Sequence, residues 1–193
     1  FIMYYQEVNL KADKNMPLCK LWTKVYMQLH LMFATVKHTY GDKGRIGVSL
    51  PEYNNSGFGR KIRLFANSKE VLITADLVNA LSCYLKHIDI SDIKPVPNKP
   101  LKYVMYCRYH PDGSPEQKAR RFAKRHEGVT FDKAVTFMKT RQNKVLPYTR
   151  MYSMTTSQRF NLIIDKCESK TQNNSDEYTS YGLSFNGSTV PEW

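Results

Sequence analysis

The chain has 193 residues and carries 29 Lys and Arg against 17 Asp and Glu, a formal net charge of +12. That length suffices for one domain or two small ones, and a basic balance of this size points to a polyanionic partner or an anionic surface while saying nothing of fold. The charge is uneven, at +5 over residues 1–98, +9 over 99–150 and −2 over 151–193, so the partner is expected to meet the middle of the chain. Cys19, Cys83, Cys107 and Cys167 form no C-x-x-C pair and have no His at zinc-finger spacing. That fits a reduced cytoplasmic protein with no structural metal and no cofactor. With no apolar run of about 18 residues and no signal-peptide pattern, neither a membrane span nor export is expected.

In chain order, Tyr4, Val8 and Leu10 share one face of an alternating stretch, which predicts a first strand. Leu18, Trp22, Val25, Leu29, Phe33 (or Met32) and Val36 recur at threes and fours, the mark of an amphipathic helix, with Pro17 near its first turn. A short apolar strand, IGVSLP (46–51), and a loop rich in Asn and Gly come next. Ile62, Leu64 and Ala66 then alternate as a strand, and 74–86 reads as a helix around Leu77, Leu81 and Tyr84. IKPVP (93–97) is an edge strand at best, since proline cannot donate to a ladder. The order β-α-β-β-α-β predicts a ferredoxin-like sheet of the RNA-recognition type, with two helices on one face.

NKP (98–100) marks the expected boundary between a domain over 1–98 and a second over 99–193. Beyond it the patterns predict a strand at 103–109, a basic helix over 115–126, and a second short helix around 130–140. Strands are predicted near 150–156, 159–165 and 178–184, so the second half is mixed α and β and the whole chain is α+β.

The basic segment is PEQKARRFAKRH (115–126). On a helix, Lys118, Arg120, Arg121, Lys124 and Arg125 fall within one arc of about 160°, and Ala119, Phe122, Ala123 and His126 fall on the other side. Ser114, followed by Pro115 and Glu116, suits an N-cap. A run of this kind is a solvated face as often as a binding surface. Arginine tips the reading toward nucleic acid, because its planar fork binds phosphate oxygens and guanine edges bidentately, and Arg108 and His110 just upstream could reach base edges. There is no RNP1 pattern, so the sheet face of an ordinary RNA-recognition motif is not expected to hold the target.

Several segments in this order resemble one family: QLH ending at His30, RIGVSLP (45–51), SPEQKARRFAKRH (114–126), RMYSMTTSQRFNL (150–162) and YGLSFNGSTVP (181–191). The resemblance is to the CRISPR repeat-RNA endoribonucleases of type I-F systems, and it covers nearly the whole chain. It implies a ferredoxin-like N-terminal domain and a second domain whose arginine-rich helix enters the major groove of a repeat hairpin. The implied activity is metal-independent cleavage of pre-crRNA on the 3′ side of the stem, after which the enzyme stays on its product beside the other subunits of the surveillance complex, in a prokaryotic cytoplasm. The family's catalytic histidine falls on His30, its serine near the scissile 2′-hydroxyl on Ser153, and its supporting tyrosine on Tyr181. Its stem-stacking aromatic falls on Phe160 and its base-reading arginine on Arg108, while the glutamine that usually accompanies that arginine is His110 here. Two helix arginines are retained as Arg121 and Arg125, and another is Lys124; beside what the resemblance implies, Lys118, Arg120, His126 and Thr155 are also expected to contact RNA.

On the residues alone, His30 beside Leu29 reads first as a structural histidine, Ser153 as an ordinary strand serine and Tyr181 as a tyrosine at the core edge. Phe160 alternates with Leu162 and Ile164 and reads first as core. Together they suit 2′-hydroxyl attack, because imidazole ordinarily titrates near about 6.5, close to working pH, and a hydroxyl and a ring can position nucleophile and base. Side chains do not read the A-form major groove in general, and a short hairpin whose groove is open at its ends is the exception this mode requires. Two further readings stay open: a hairpin-binding subunit of the complex that does not cleave, and a basic DNA-binding or ribosomal-type protein.

Overall fold

In the computed structural model the described residues are 3–98, 102–110, 115–125, 128–140, 145–169, 171–173 and 177–193. They divide into two compact units, one of Phe1–Arg108 with Leu146–Trp193 and one of Tyr109–Val145.

In the larger unit, β1 (Tyr4–Leu10) alternates as its sequence predicts, with Gln6, Val8 and Leu10 buried. Helix α1 (Leu18–Tyr40) follows, with Pro17 as its N-cap residue. Its stripe of Leu21, Trp22, Val25, Tyr26, Leu29, Met32, Phe33 and Val36 is buried, and each such side chain contributes about 1.5–3 kcal/mol on leaving water. Strands β2 (Gly47–Ser49) and β3 (Lys61–Ala66) come next. The expected helix over 74–86 is displaced and broken: α2 spans Lys69–Ala75 and α3 only Leu77–Ala80, with a 3-10 turn over Ser82–His87. Asp76 is the break. It takes a left-handed conformation (φ 42°), closing α2 and capping α3 through its side chain, which accepts from Asn79 N at 3.2 Å.

Strand β4 (Ile88–Ile90), too short to show an alternation, pairs with β1, and β5 is the two-residue Lys94–Pro95 at the edge where proline is tolerated. The first sheet has the order β2-β3-β1-β4, with β5 also on β1, and β1 pairs antiparallel with β3, β4 and β5 as β2 does with β3. The ferredoxin-like order of elements is therefore present.

The second sheet is built from β6 (Lys102–Tyr109), β7 (Tyr148–Ser153), β8 (Gln158–Ser169) and β9 (Val190–Glu192) in the order β7-β8-β6-β9. The strand expected at 178–184 is instead a turn with a single bridge, Tyr178 to Ser184, because its hydrogen bonds close on the segment itself. Residues of both sheets and α1 share one hydrophobic cluster, from Val8 and Leu29 to Tyr106, Leu162 and Val190. Buried Glu192 fastens the second sheet to the first: its carboxylate accepts from Tyr106 Oη, from Ser49 Oγ at 3.3 Å and from Lys166 Nζ at 2.7 Å. No helix among the described residues is long and apolar enough to cross a membrane.

The smaller unit contains α4 (Pro115–Arg125) and α5 (Phe131–Thr140), which pack on each other. Ala119 and Ala134 are fully buried between them, and the rings of Phe122 and Phe137 meet at 5.7 Å.

Candidate functional site

His30 lies on α1 at the border of its apolar stripe, one residue after buried Leu29. Its Nδ1 is 2.7 Å from the backbone oxygen of Ser180. A carbonyl has no proton to give, so Nδ1–H donates, and in the neutral ring Nε2 is left with its lone pair free. The Tyr181 ring lies flat on the imidazole, with centroids 4.3 Å apart and planes 9° apart. Two contacts thus fix both the tautomer and the plane of the ring.

The turn that supplies them is held locally and from below. Thr179 Oγ1 accepts from Tyr181 N at 3.3 Å and from Leu183 N at 3.2 Å, and Gly182 N donates to Thr179 O at 2.9 Å. Gly182 has φ 72°, and a Cβ there would come within 2.6 Å of Val48 Cγ1, so only glycine both makes the bend and lets the turn settle on β2. Val48 N donates to Gly182 O at 2.9 Å, closing that contact. From inside the core, Tyr26 donates its hydroxyl to Tyr181 O at 3.0 Å, and burial pushes that phenol far above its ordinary range.

Tyr181 is also the hub of an aromatic and cationic group. Phe160 meets it edge-on at 6.3 Å, and the Arg108 guanidinium stands 5.1 Å from the Phe160 ring centre and 5.3 Å from that of Tyr181. Phe160 is only half buried, packed against the core from its margin, so it is not the core residue its alternation suggests.

Ser153, at the end of β7, is half buried and its Oγ accepts from Thr156 N at 3.2 Å. Alternation puts it on the face of Thr149 and Met151, the face α1 covers. Thr149 Oγ1 is 3.5 Å from Thr23 Oγ1, and two turns on from Thr23 the helix reaches His30. Met151 pairs with Phe160, which touches Tyr181. Helix and strand therefore run the same way, and Ser153 lies one alternation beyond Met151 as a diagonal neighbour of Phe160, at the His30 end. Thr155 is exposed in the turn that follows.

In the smaller unit, Arg120, Arg121 and Lys124 of α4 are exposed and Lys118 is half buried, with the Arg120 guanidinium 5.8 Å from the Phe131 ring centre. The Arg125 side chain and His126 lie outside the described residues. His110 is exposed. The sequence carried no signal for Ser180, whose contribution is a backbone oxygen, or for Tyr26, which reads as one more stripe residue. Among the described residues no group of three His, Cys, Asp or Glu is placed to hold a metal ion.

The model of one protein family, described as CRISPR-associated protein (Cas_Csy4), matches residues 5–193. The chain belongs to the Cas_Csy4 family. Cas_Csy4 proteins are CRISPR endoribonucleases, so binding and processing of CRISPR RNA is the chain's functional class. None of the curated proteins matches it. A solved RAMP protein, described as binding different RNA substrates, aligns over 99% of this chain and 99% of its own at 11% identity and a TM-score of 0.35, a likeness too slight to bear on the fold.

Proposed function

We propose that this Cas_Csy4 protein binds the hairpin of its CRISPR repeat and cleaves pre-crRNA at the 3′ base of the stem, with no metal, remaining on the mature crRNA. His30 Nε2 takes the proton of the scissile 2′-hydroxyl, and the 2′-oxygen bonds to phosphorus as the bond to the 5′-oxygen breaks. The products are a 2′,3′-cyclic phosphate and a 5′-hydroxyl, whose oxygen picks up the proton. Ser153 holds the nucleophilic hydroxyl, and Ser180 and Tyr181 hold the base in the one tautomer and plane that can reach it. The observation that carries this reading is the 2.7 Å contact from His30 Nδ1 to Ser180 O, beneath the stacked Tyr181 ring. With Nδ1–H donating to Ser180 O, Nε2 is the acceptor nitrogen that a base requires.

In the same proposal Phe160 stacks under the terminal base pair, Arg108 and His110 read a base edge, Thr155 meets the backbone, and Lys118, Arg120, Arg121, Lys124, Arg125 and His126 line phosphates. Residues 1–98 supply the base and 99–193 hold the hairpin, in a prokaryotic cytoplasm beside the other subunits of a surveillance complex.

The test is single-turnover cleavage of the host repeat RNA. His30→Ala should lower the rate by at least about 10² to 10⁴-fold and leave hairpin affinity nearly intact, because a general base acts in the transition state. Wild-type cleavage should persist in EDTA, and a 2′-deoxy substitution at the scissile nucleotide should stop it while binding survives. Cleavage of the deoxy RNA, or its loss in EDTA, would replace this mechanism with a metal-activated water.

A further inference from the structure

The face of the second sheet that points away from the core is open along β7. Alternation brings Tyr148, Arg150 and Tyr152 to it, and the register sets Ile163, Asn161 and Arg159 directly beside them on β8. Tyr148 is 51% exposed and Tyr152 42%, and Arg150, Arg159 and Asn161 are exposed too. Neither arginine has a carboxylate within ion-pair distance among the described residues, and the nearest acidic position on this face of β8 is Asp165, beyond the Tyr148 end. Along this edge strand Arg150 stands between the two tyrosines, and Arg159 is the register partner of Tyr152. Nothing in the proposed cleavage uses them.

We infer that this face is a binding surface for single-stranded RNA, occupied by the chain that leaves the scissile position toward its 3′ end. The inference rests on the endoribonuclease reading for where that strand begins: Ser153 follows Tyr152 on β7 and faces the proposed site, so RNA turning round the end of the strand meets Tyr152 and Arg159 first. Exposed rings offer π-faces to any base, and the guanidiniums offer donors to the phosphates between, which is how sequence-tolerant single-strand grooves are built. Tyrosine and arginine also suit a protein interface, but here Arg150 separates the two ring positions along β7 and Ile163 is half buried, so the face has no continuous apolar centre and fits alternating bases and phosphates better.

The test is fluorescence anisotropy on the full chain, with a repeat hairpin carrying a 2′-deoxy at the scissile nucleotide, bare or extended by an oligouridine tail of about six nucleotides. The tail should tighten binding by at least about tenfold, since each stacked base is worth a comparable factor or more. A Tyr148→Ala/Tyr152→Ala double variant should lose most of that gain yet bind the bare hairpin as the wild type does, which also shows that it is folded. Arg150→Ala/Arg159→Ala should lower the salt slope for the tailed RNA by roughly 1.4, at about 0.7 per phosphate. A tail that adds nothing to the wild type, or a gain that survives both double variants, overturns the inference. Variants that keep the gain but no longer copurify with the other CRISPR proteins give the face to a protein partner instead. Failure of the wild type to bind even the bare hairpin overturns the endoribonuclease reading, and this inference with it.

Discussion

Gly182→Ala tests whether the turn over 179–183 holds the imidazole where chemistry needs it. A non-glycine residue at φ 72° costs about 1–2 kcal/mol in the left-handed region. The new Cβ would also stand 2.6 Å from Val48 Cγ1, 3.0 Å from Phe33 Cε2 and 3.2 Å from Ile46 O. Val48 and Phe33 are 1% and 4% exposed and cannot swing away, so relief must come from the backbone, at about 1–3 kcal/mol more. For a chain of this size each kcal/mol lowers Tm by about 2–4 °C, so thermal unfolding should show a drop of roughly 4 °C at the least. Two controls separate the terms. Gly41→Ala, at φ 60° and ψ −137° with nothing within 4 Å, should incur backbone strain without a clash and set an upper bound on that term, and Gly57→Ala, with open space and no positive φ, should be neutral or slightly stabilising. Well below Tm, Gly182→Ala should also cleave more slowly than its hairpin affinity explains, because Ser180 O moves with the turn. A Gly182→Ala protein that melts with Gly57→Ala, or one that melts early yet cleaves at the wild-type rate, would refute the reasoning.

Tyr181→Phe keeps the ring that stacks on His30 and should retain most of the cleavage rate, whereas Tyr181→Ala should lose it with little change in hairpin affinity, as read in single-turnover assays. Arg121→Ala and Lys124→Ala should each weaken hairpin binding and lower its salt slope by about 0.7–0.9, measured by titration at several salt concentrations, while Arg108→Ala should relax discrimination at one base pair at a cost of about 1–3 kcal/mol. Burial alone would push the Glu7 carboxyl up, but its hydrogen bonds and charge contacts with Arg63 and Lys61 outweigh burial and hold it below the ordinary carboxylate range. A lowered folded-state value gives stability that is present above the unfolded value of about 4.3 and lost as pH falls through the folded one. Urea unfolding between pH about 7 and about 3 should therefore lose more stability in the wild type than in Glu7→Gln.

What the sequence disclosed was whatever periodicity or a side chain records. The stripe of α1 and the alternation of β1 and β3 are visible because each buries one continuous face. The break at Asp76 is not, since a left-handed aspartate leaves the apolar spacing of Leu72 and Leu77 on either side undisturbed. Strand β9 is three residues long and contains Pro191, which reads as a stop, yet it pairs with Tyr103 at the sheet edge where the missing N–H costs nothing. YTSYGLS alternates well enough to suggest a strand, and the Thr179 hydroxyl and the positive φ of Gly182 turn it back on itself. In the candidate site His30, Ser153 and Tyr181 stand out by resemblance and not by pattern. Ser180, which fixes the tautomer, acts through a backbone oxygen 150 residues away in sequence, and no residue type encodes that.

Among the described residues, the contacts that fix the proposed base belong to the larger unit: Ser180 and Tyr181 on the turn, Val48 and Tyr26 beneath it, Phe160 and Arg108 beside it. The cations of α4 belong to the smaller unit, where Ala119, Phe122, Ala134 and Phe137 give the helix support of its own. Sites without shared partners act additively on free energy. Among the described contacts, loss of an α4 cation removes nothing that holds His30, and loss of the turn removes nothing that holds α4. Arg108 breaks that separation. In the proposed complex its guanidinium serves a base edge, and in the protein alone it rests against Phe160 and Tyr181, the ring that holds the imidazole flat. In that proposal, an RNA feature that draws Arg108 away also changes what lies against Tyr181, so recognition of the stem and orientation of the proposed base would pass through one aromatic side chain.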